Sequence, residues 1–327
     1  MRFVSNLTQS AIKEAANTLI EGDLVAFPTE TVYGLGADAT NKDAVGRIYS
    51  VKGRPENHPL IVHISSIAYL NDWARDVPGY AIKLAQVIWP GPMTLILPRT
   101  NLAKDFITGG QDNIAIRIPS HPIAKAMLIE FENQGGKGVV APSANRFGKV
   151  SPTSASDVRA EIGEHLKPSD LILDGGPCVI GIESTIINCT QDSPQILRLG
   201  AVTISTIKKV LGSKIELVKS SFTVSSVKTS GIMETHYAPN AKVFLVGNPS
   251  SGDGFIALSS IATPAGAIRL ASPRDNLEYA QILYKSLRLA DTKQINKVFV
   301  VPPTGSGIAL AINDRLKKAR FKNYLSN

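Results

Sequence analysis

The sequence predicts an α/β protein: a twisted mixed-sheet domain to about residue 212, then a small Rossmann-like α/β unit from residue 241. Three observations carry that prediction. Helical and strand periods alternate through the first two-thirds of the chain. Several strand-like runs follow one another through short turns, which requires a sheet that mixes parallel and antiparallel neighbours. Near residue 212 the texture turns Ser/Thr-rich and loses any period, and short strands and helices resume only after it.

The elements follow in order. "TQSAIKEAANTLIEG" sets Ala11, Ile12, Ala15, Ala16, Leu19 and Ile20 on one helical face, with Thr8 as N-cap and Gly22 as the stop. "LVAFPT" is a buried strand ending at Pro28. The later strands are "LIVHI", "MTLILPR", "NIAIRIP", "GVVAPS", "DLILDGG", "STIINCT" and "QILRLG". Between them lie helices, notably "HPIAKAMLIEF", with Pro122 in its first turn, and "TSASDVRAEIGEHL", with Thr153 as its cap. Residues 213–240 read as a linker. Beyond it, "AKVFLVG", "GFIALS", "AIRLAS" and "KVFVVPP" are strands, and "NLEYAQILYKSLRLAD" and "GIALAINDRLKKARF" are helices. The plan is therefore 1–212, 213–240 and 241–327, with no internal repeat.

At 327 residues, 43% apolar and 19% charged, the chain has an ordinary globular composition that excludes a disordered tail. Its net charge of +8 points to anionic company. Cys178 and Cys189 form neither a metal-ligand pattern nor a disulfide framework, and both read as small buried hydrophobes. The N-terminus carries Glu14 and turns polar too early for a signal peptide, and no run is long and apolar enough for a membrane helix. The expectation is a cytoplasmic protein without membrane contact.

There is no Walker A sequence. "GLGADA" (Gly34, Gly36) and "TGSGIALA" (Gly305, Gly307) are each only part of a dinucleotide fingerprint. The second stands between a strand and a helix, where a tight turn is the alternative to a phosphate site. Three polar clusters at strand ends are more informative. One is Lys52, Arg54 and His58 in "KGRPENHP", where Pro55 and Pro59 hold the backbone extended. Another is "APSANRFGKVSPT", with Ser143, Asn145, Lys149, Ser151 and Thr153. The third is "GIESTI", with Glu183, Ser184 and Thr185. Arg117 and Arg198 are lone charges among apolar strand residues. Each needs a partner, either an internal carboxylate such as Glu30, Asp174 or Glu183, or an anionic ligand. His63, alone on an apolar strand, reads by itself as a core histidine. The donors Lys, Arg, Ser, Thr and Asn suit phosphoryl or nucleotidyl transfer, in which positioning and charge stabilisation replace a protein nucleophile.

"FPTETVYGLGADA", "KGRPENHPLIVHI", "WPGPMTLIL", "IAIRIPSHP", "APSANRFGKVSPT" and "GIESTI", in that order, resemble the YrdC-type L-threonylcarbamoyladenylate synthases. The signature K-x-R…S-x-N stands here as Lys52, Arg54, Ser143 and Asn145. "THYAP" and the extra C-terminal domain resemble the long, two-domain form. The resemblance implies a YrdC-like domain with a large basic cavity that condenses L-threonine, bicarbonate and ATP into threonylcarbamoyl-AMP and pyrophosphate. The product would pass to the machinery that modifies adenosine 37 of tRNA. Mg²⁺ would arrive with ATP and need no dedicated protein ligands. Carried over by position, Lys52 and Arg54 are the catalytic pair and contact the ATP phosphates. His58, Asn145, Ser151, Arg198 and Tyr237 complete the nucleotide side. Thr29, His63, Arg117, Ser143 and Ser184 surround threonine, with Arg117 on its carboxylate. His236 and Tyr237 form a lid.

The linker departs from the family pattern at Ser230, Glu234 and Thr235, which removes the basic pair before His236. Leu199 stands where proline is common, and Phe147 replaces a small polar residue in the S-A-N loop. Two competing readings remain. A basic surface for double-stranded RNA or tRNA would lack the usual Lys/Arg runs and interleaved aromatics. Carbamoyl transfer in hydrogenase maturation would require Cys-x-x-Cys zinc modules that the chain lacks.

Overall fold

The computed structural model describes residues 1–4, 8–212 and 237–321. The greater part of the predicted linker, with Ser230, Glu234, Thr235 and His236, lies outside the described residues.

The first unit opens with β1 (Arg2–Val4), α1 (Gln9–Ile20), β2 (Val25–Phe27), β3 (Gly34–Asp38) and α2 (Lys42–Lys52). It continues through β4 (Ile61–His63), α3 (Leu70–Trp73), α4 (Gly79–Ile88), β5 (Met93–Pro98), α5 (Asp105–Thr108) and β6 (Asn113–Arg117). Then come α6 (Pro122–Asn133), β7 (Val139–Val140), α7 (Ala155–Ile162), β8 (Leu171–Leu173), β9 (Thr185–Asn188), β10 (Gln195–Arg198) and α8 (Ile204–Leu211). Among the described residues these strands form one ten-stranded mixed sheet, ordered β1-β8-β2-β3-β7-β4-β6-β5-β9-β10.

Local chemistry explains most boundaries. Thr8 caps α1 by accepting from Ala11 N at 3.3 Å, and Gly22 follows its end at φ +82°. The buried face of α1 (Ala11, Ala15, Ala16, Leu19) packs on α6, and Phe131 of α6 joins the same core. The cap of α7 is Ser154, one residue beyond the expected Thr153. Ser154 and Asp157 form a reciprocal capping box, because Asp157 is placed to receive both the Thr153 and Ser154 amides. "GLGADA" is a strand and not a phosphate turn. It pairs antiparallel with β2, and Gly36 leaves room for the Phe27 ring, which a Cβ would meet at 2.9 Å. Both cysteines are free and buried, as their apolar settings imply.

The second unit holds β11 (Lys242–Phe244), β12 (Gly254–Ile256), β13 (Ile268–Ala271), α9 (Asn276–Thr292), β14 (Lys297–Val300) and α10 (Ile308–Ala319). Its four-stranded sheet, β11-β14-β12-β13, is parallel throughout. "TGSG" is the turn from β14 into α10, with Gly305 at φ +106° and Gly307 at +68°. No helix among the described residues is long and apolar enough to cross a membrane.

The two units share a core. Val32, Val150 and Ile182 of the first pack with Tyr279, Leu283, Tyr284, Ile312 and Leu316 of the second. Gly181, at φ +81°, lets α9 come close: a Cβ there would stand 2.5 Å from Gln281 Cα. Gly181→Ala combines a left-handed backbone penalty of roughly 1–2 kcal/mol with overpacking of roughly 1–3 kcal/mol. It should lower the urea midpoint clearly, whereas Gly252→Ala, also at positive φ but in open space, should show the backbone penalty alone.

Candidate active site

Lys52 enters the site because α2 stops on it. Gly53 takes the left-handed conformation (φ +60°) and reverses the chain, so Lys52 and Arg54 both meet the 143–147 loop. The Lys52 ammonium, only 2% exposed, donates to the Ser143 carbonyl at 2.5 Å and to the Asn145 carbonyl. In return, Phe147 N donates to the Lys52 carbonyl at 2.8 Å. Arg54 donates to the Pro59 carbonyl at 2.9 Å. Its guanidinium lies 6.0 Å from the Phe147 ring centroid, and His58 meets the same ring edge-on at 5.3 Å. Phe147, uninterpretable from sequence, is thus the apolar floor on which this basic turn rests.

Burial pushes the Lys52 amine well below its ordinary pKa, and the nearby Arg54 charge pushes it further. Burial likewise brings Arg54 down to about 10, with the Arg198 guanidinium adding to the effect. Three buried cations thus form a chain of influence, Arg54 acting on Lys52 and Arg198 on Arg54. Asn145 spends its amide N–H groups on the Arg146 and Lys149 carbonyls, at 2.6 and 2.9 Å. Its Oδ1 is buried with no hydrogen-bond partner among the described residues.

The other wall comes from sheet register. His63 lies opposite Arg117, and Arg117 opposite Thr94, so three adjacent strands present one row on one face. Arg117 pairs with Glu30 at 2.7 Å, both buried, and Glu30 also accepts from Ser120 N at 3.1 Å. For Arg117 the internal carboxylate is thus real. Its Nε is nevertheless buried without a partner among the described residues. Thr29 precedes Glu30 and donates to the Val32 carbonyl at 2.6 Å. His63 Nδ1 donates to the Ile61 carbonyl at 3.2 Å, and the ring sits edge-on to Phe27. Burial, then the Arg117 charge, lowers the His63 pKa to about 3, so the imidazole stays neutral at ordinary pH.

The third group is built around Ser184 and Glu183. Ser184 shares a hydrogen bond with Thr94 at 2.8 Å and receives Arg198 on its hydroxyl and its carbonyl, at 3.0 and 3.1 Å. Glu183 accepts from Ser151 at 2.7 Å, Tyr284 at 2.9 Å and Arg315 at 2.7 Å. Burial alone would raise this carboxyl, but the Arg315 and Arg198 charges outweigh it and hold the pKa near 2. Tyr237 stacks on Tyr284 at 5.7 Å and lies 5.1 Å from the Arg315 guanidinium.

The structure thus places Lys52, Arg54, His58, Ser143 and Asn145 around Phe147. Thr29, His63 and Arg117 lie around Glu30, and Ser151, Ser184 and Arg198 around Glu183. Tyr237 seats in the second unit's core, within electrostatic reach of Arg54 and Arg198. His236 is outside the described residues. Sequence reasoning did not single out Thr94, Tyr284 or Arg315. Thr94 had a signal in strand alternation, whereas Arg315, in "DRLKKAR", has the sequence context of a solvated helix face.

A Sua5/YciO/YrdC family model, described as "Telomere recombination", matches residues 17–200. A second, "Threonylcarbamoyl-AMP synthase, C-terminal domain", matches residues 202–320. The chain is 39% identical to the threonylcarbamoyl-AMP synthase of Pyrococcus abyssi, over 94% of this chain and 93% of that protein. It is 38% identical to that of Bacillus subtilis, over 94% and 92%. The solved structure of P. abyssi Sua5 complexed with L-threonine superposes with a TM-score of 0.86 at 36% identity, covering 97% of this chain and 96% of that one.

Two outcomes follow from the site's electrostatics. Between about pH 6.5 and 3 the unfolded chain protonates His63 while the folded chain does not, so acid costs stability across that window. His63→Gln should flatten the fall in melting temperature from pH 6.5 towards 4, and an unchanged slope would refute the neutral assignment. Arg117→Met strands Glu30 and should cost about 3–5 kcal/mol in denaturant unfolding. Adding Glu30→Gln should recover most of that loss.

Proposed function

This chain belongs to the threonylcarbamoyl-AMP synthase family, and from that premise we propose that its cavity is a nucleotidyltransferase site. It condenses L-threonine, bicarbonate and ATP into threonylcarbamoyl-AMP and pyrophosphate. The observation that carries the proposal is the burial of Lys52, Arg54 and Arg198, with the Arg54 charge acting on Lys52 and the Arg198 charge on Arg54. Such a cluster is relieved by a polyanion, and a triphosphate is the polyanion this reaction requires.

The threonine amine, as free base, bonds to the bicarbonate carbon with loss of water. The resulting carbamate oxygen then displaces pyrophosphate from the α-phosphorus. Lys52 and Arg54 hold phosphate oxygens, and His58, Asn145, Ser151, Arg198 and Tyr237 complete the nucleotide side. Thr29, His63, Ser143 and Ser184 enclose threonine. Arg117, already fixed by Glu30, turns its remaining Nε edge towards the substrate carboxylate. The residues fit a Mg²⁺ that travels with ATP: they are phosphate donors, with Asn145 Oδ1 as a hard oxygen among them. That ion would neutralise phosphate charge. His63, held neutral, adds no cation beside the amine that must stay unprotonated.

Residues 1–212 form the catalytic unit in this reading. Residues 213–240, with His236 and Tyr237, cover the cavity, and 241–327 form the accessory unit. The product is passed in the cytoplasm to the tRNA threonylcarbamoyl-transfer machinery, with at most weak contact to tRNA itself.

Purified protein supplied with Mg-ATP, bicarbonate and L-threonine should release pyrophosphate only when threonine is present, with threonylcarbamoyl-AMP detected by mass spectrometry. Arg54→Ala should lower the rate at least about a hundredfold, the scale of losing one preorganised charge, with circular dichroism unchanged. Threonine-independent pyrophosphate release, or a near-normal Arg54→Ala rate, would refute the proposal.

A further inference from the structure

Arg315 lies on α10 of the second unit, fully buried, with each of its nitrogens engaged. Nε meets Glu183 at 2.7 Å, Nη1 meets Asp314 at 2.6 Å, and Nη2 meets the Leu199 carbonyl at 2.9 Å. Its plane also faces the Tyr237 ring. Tyr284 of α9 adds its hydroxyl to the same Glu183 carboxylate at 2.9 Å. Each first-unit group held in this way neighbours a cavity residue in the chain: Glu183 precedes Ser184, and Leu199 follows Arg198. Gly200 lies directly on the Glu183–Thr185 backbone, where a Cβ has no room, so small movements of Leu199 pass into the Ser184 turn.

The charge arrangement gives this contact a specific consequence. Two guanidinium groups, Arg315 and Arg198, act on one buried carboxylate. Arg315 takes it by direct hydrogen bond, whereas Arg198 is directed to Ser184. The seam is closed by Val32, Val150, Ile182, Tyr279 and Leu283, so water cannot substitute for a missing cation. Without Arg315, Glu183 would be a buried anion in need of a partner, and Arg198 is the guanidinium already within its field.

We propose that Arg315, assisted by Tyr284, is a positioning residue. By satisfying Glu183 it leaves Arg198 on Ser184, and so the second unit sets nucleotide affinity without touching substrate. The inference rests on Arg198 serving the nucleotide side of the proposed synthase site. On the threonine side it reaches Ser184, which Arg198 holds, but not Arg117, which has its own carboxylate in Glu30.

The test is calorimetric titration of the full chain with Mg-ATP and, separately, with L-threonine, alongside melting temperatures. Arg315→Gln should raise the Kd for Mg-ATP by about tenfold or more, the equivalent of one charged hydrogen bond. The Kd for threonine should rise clearly less, because Arg117 stays fixed by Glu30. Adding Glu183→Gln removes the competing anion and should restore much of the Mg-ATP affinity, which a merely structural role for Arg315 would not produce. Tyr284→Phe, which deletes one hydroxyl, should weaken Mg-ATP in the same direction by a few-fold. Unchanged Mg-ATP affinity in Arg315→Gln, equal losses for both ligands, or no recovery in the double variant would overturn the inference. If Arg315→Gln does not fold, Tyr284→Phe decides: a selective loss for Mg-ATP supports the inference and none overturns it. Wild type that binds Mg-ATP without threonine-dependent turnover sinks the synthase reading alone, whereas wild type that does not bind Mg-ATP sinks this one.

Discussion

A single buried carboxylate, Glu183, is the point on which the two units close. It accepts from Ser151 on the loop after β7, from Tyr284 on α9 and from Arg315 on α10. Burial of a lone carboxylate is prohibitive, and burial with one strong cation and two hydroxyls satisfies its lone pairs. The pKa near 2 shows that attraction outweighs desolvation here. The seam is therefore more than an apolar contact between a small parallel sheet and a large mixed one. It is a charged joint sealed by an apolar rim, and such a joint tolerates little misalignment because its geometry is set by hydrogen bonds.

Elsewhere the site residues combine settled and unsettled charge. Around Glu30, the carboxylate fixes Arg117 and burial keeps His63 neutral, so that group is electrostatically quiet. Around Phe147, burial lowers the basicity of Lys52 and Arg54, with the Arg54 charge acting on Lys52 and the Arg198 charge on Arg54. Lys52 compensates in part through backbone carbonyls of the Ser143–Asn145 turn, which makes it a brace for that loop as well as a cation. In the proposed reaction, the quiet group suits an amino acid whose amine must be free. A crowded wall suits a ligand with several negative charges, since binding then relieves repulsion built into the fold.

The sequence carried much of this. Strand and helix periods marked most elements, and the proline and glycine punctuation placed Lys52 and Arg54 at a turn. Where the reading slipped, local packing had the last word. "GLGADA" became β3 because Gly36 admits the Phe27 ring, and the α7 cap moved to Ser154 because Asp157 completes a box with it. Arg117 was left open between an internal carboxylate and a ligand, and it has the first while keeping an edge for the second.

By itself, the sequence determined the α/β class, the texture change near residue 212 and the family. Those are properties of period, composition and motif order, which are local along the chain. Only the tertiary structure decided which charge meets which. Glu183 and Arg315 are 132 positions apart, and Lys52 and Asn145 are 93 apart. No periodicity links such positions; they meet because Gly53 reverses the chain after α2, Gly181 admits α9, and sheet register aligns His63, Arg117 and Thr94 in one row. Pairing of buried charges is a long-range condition, satisfied only after the backbone has closed around them.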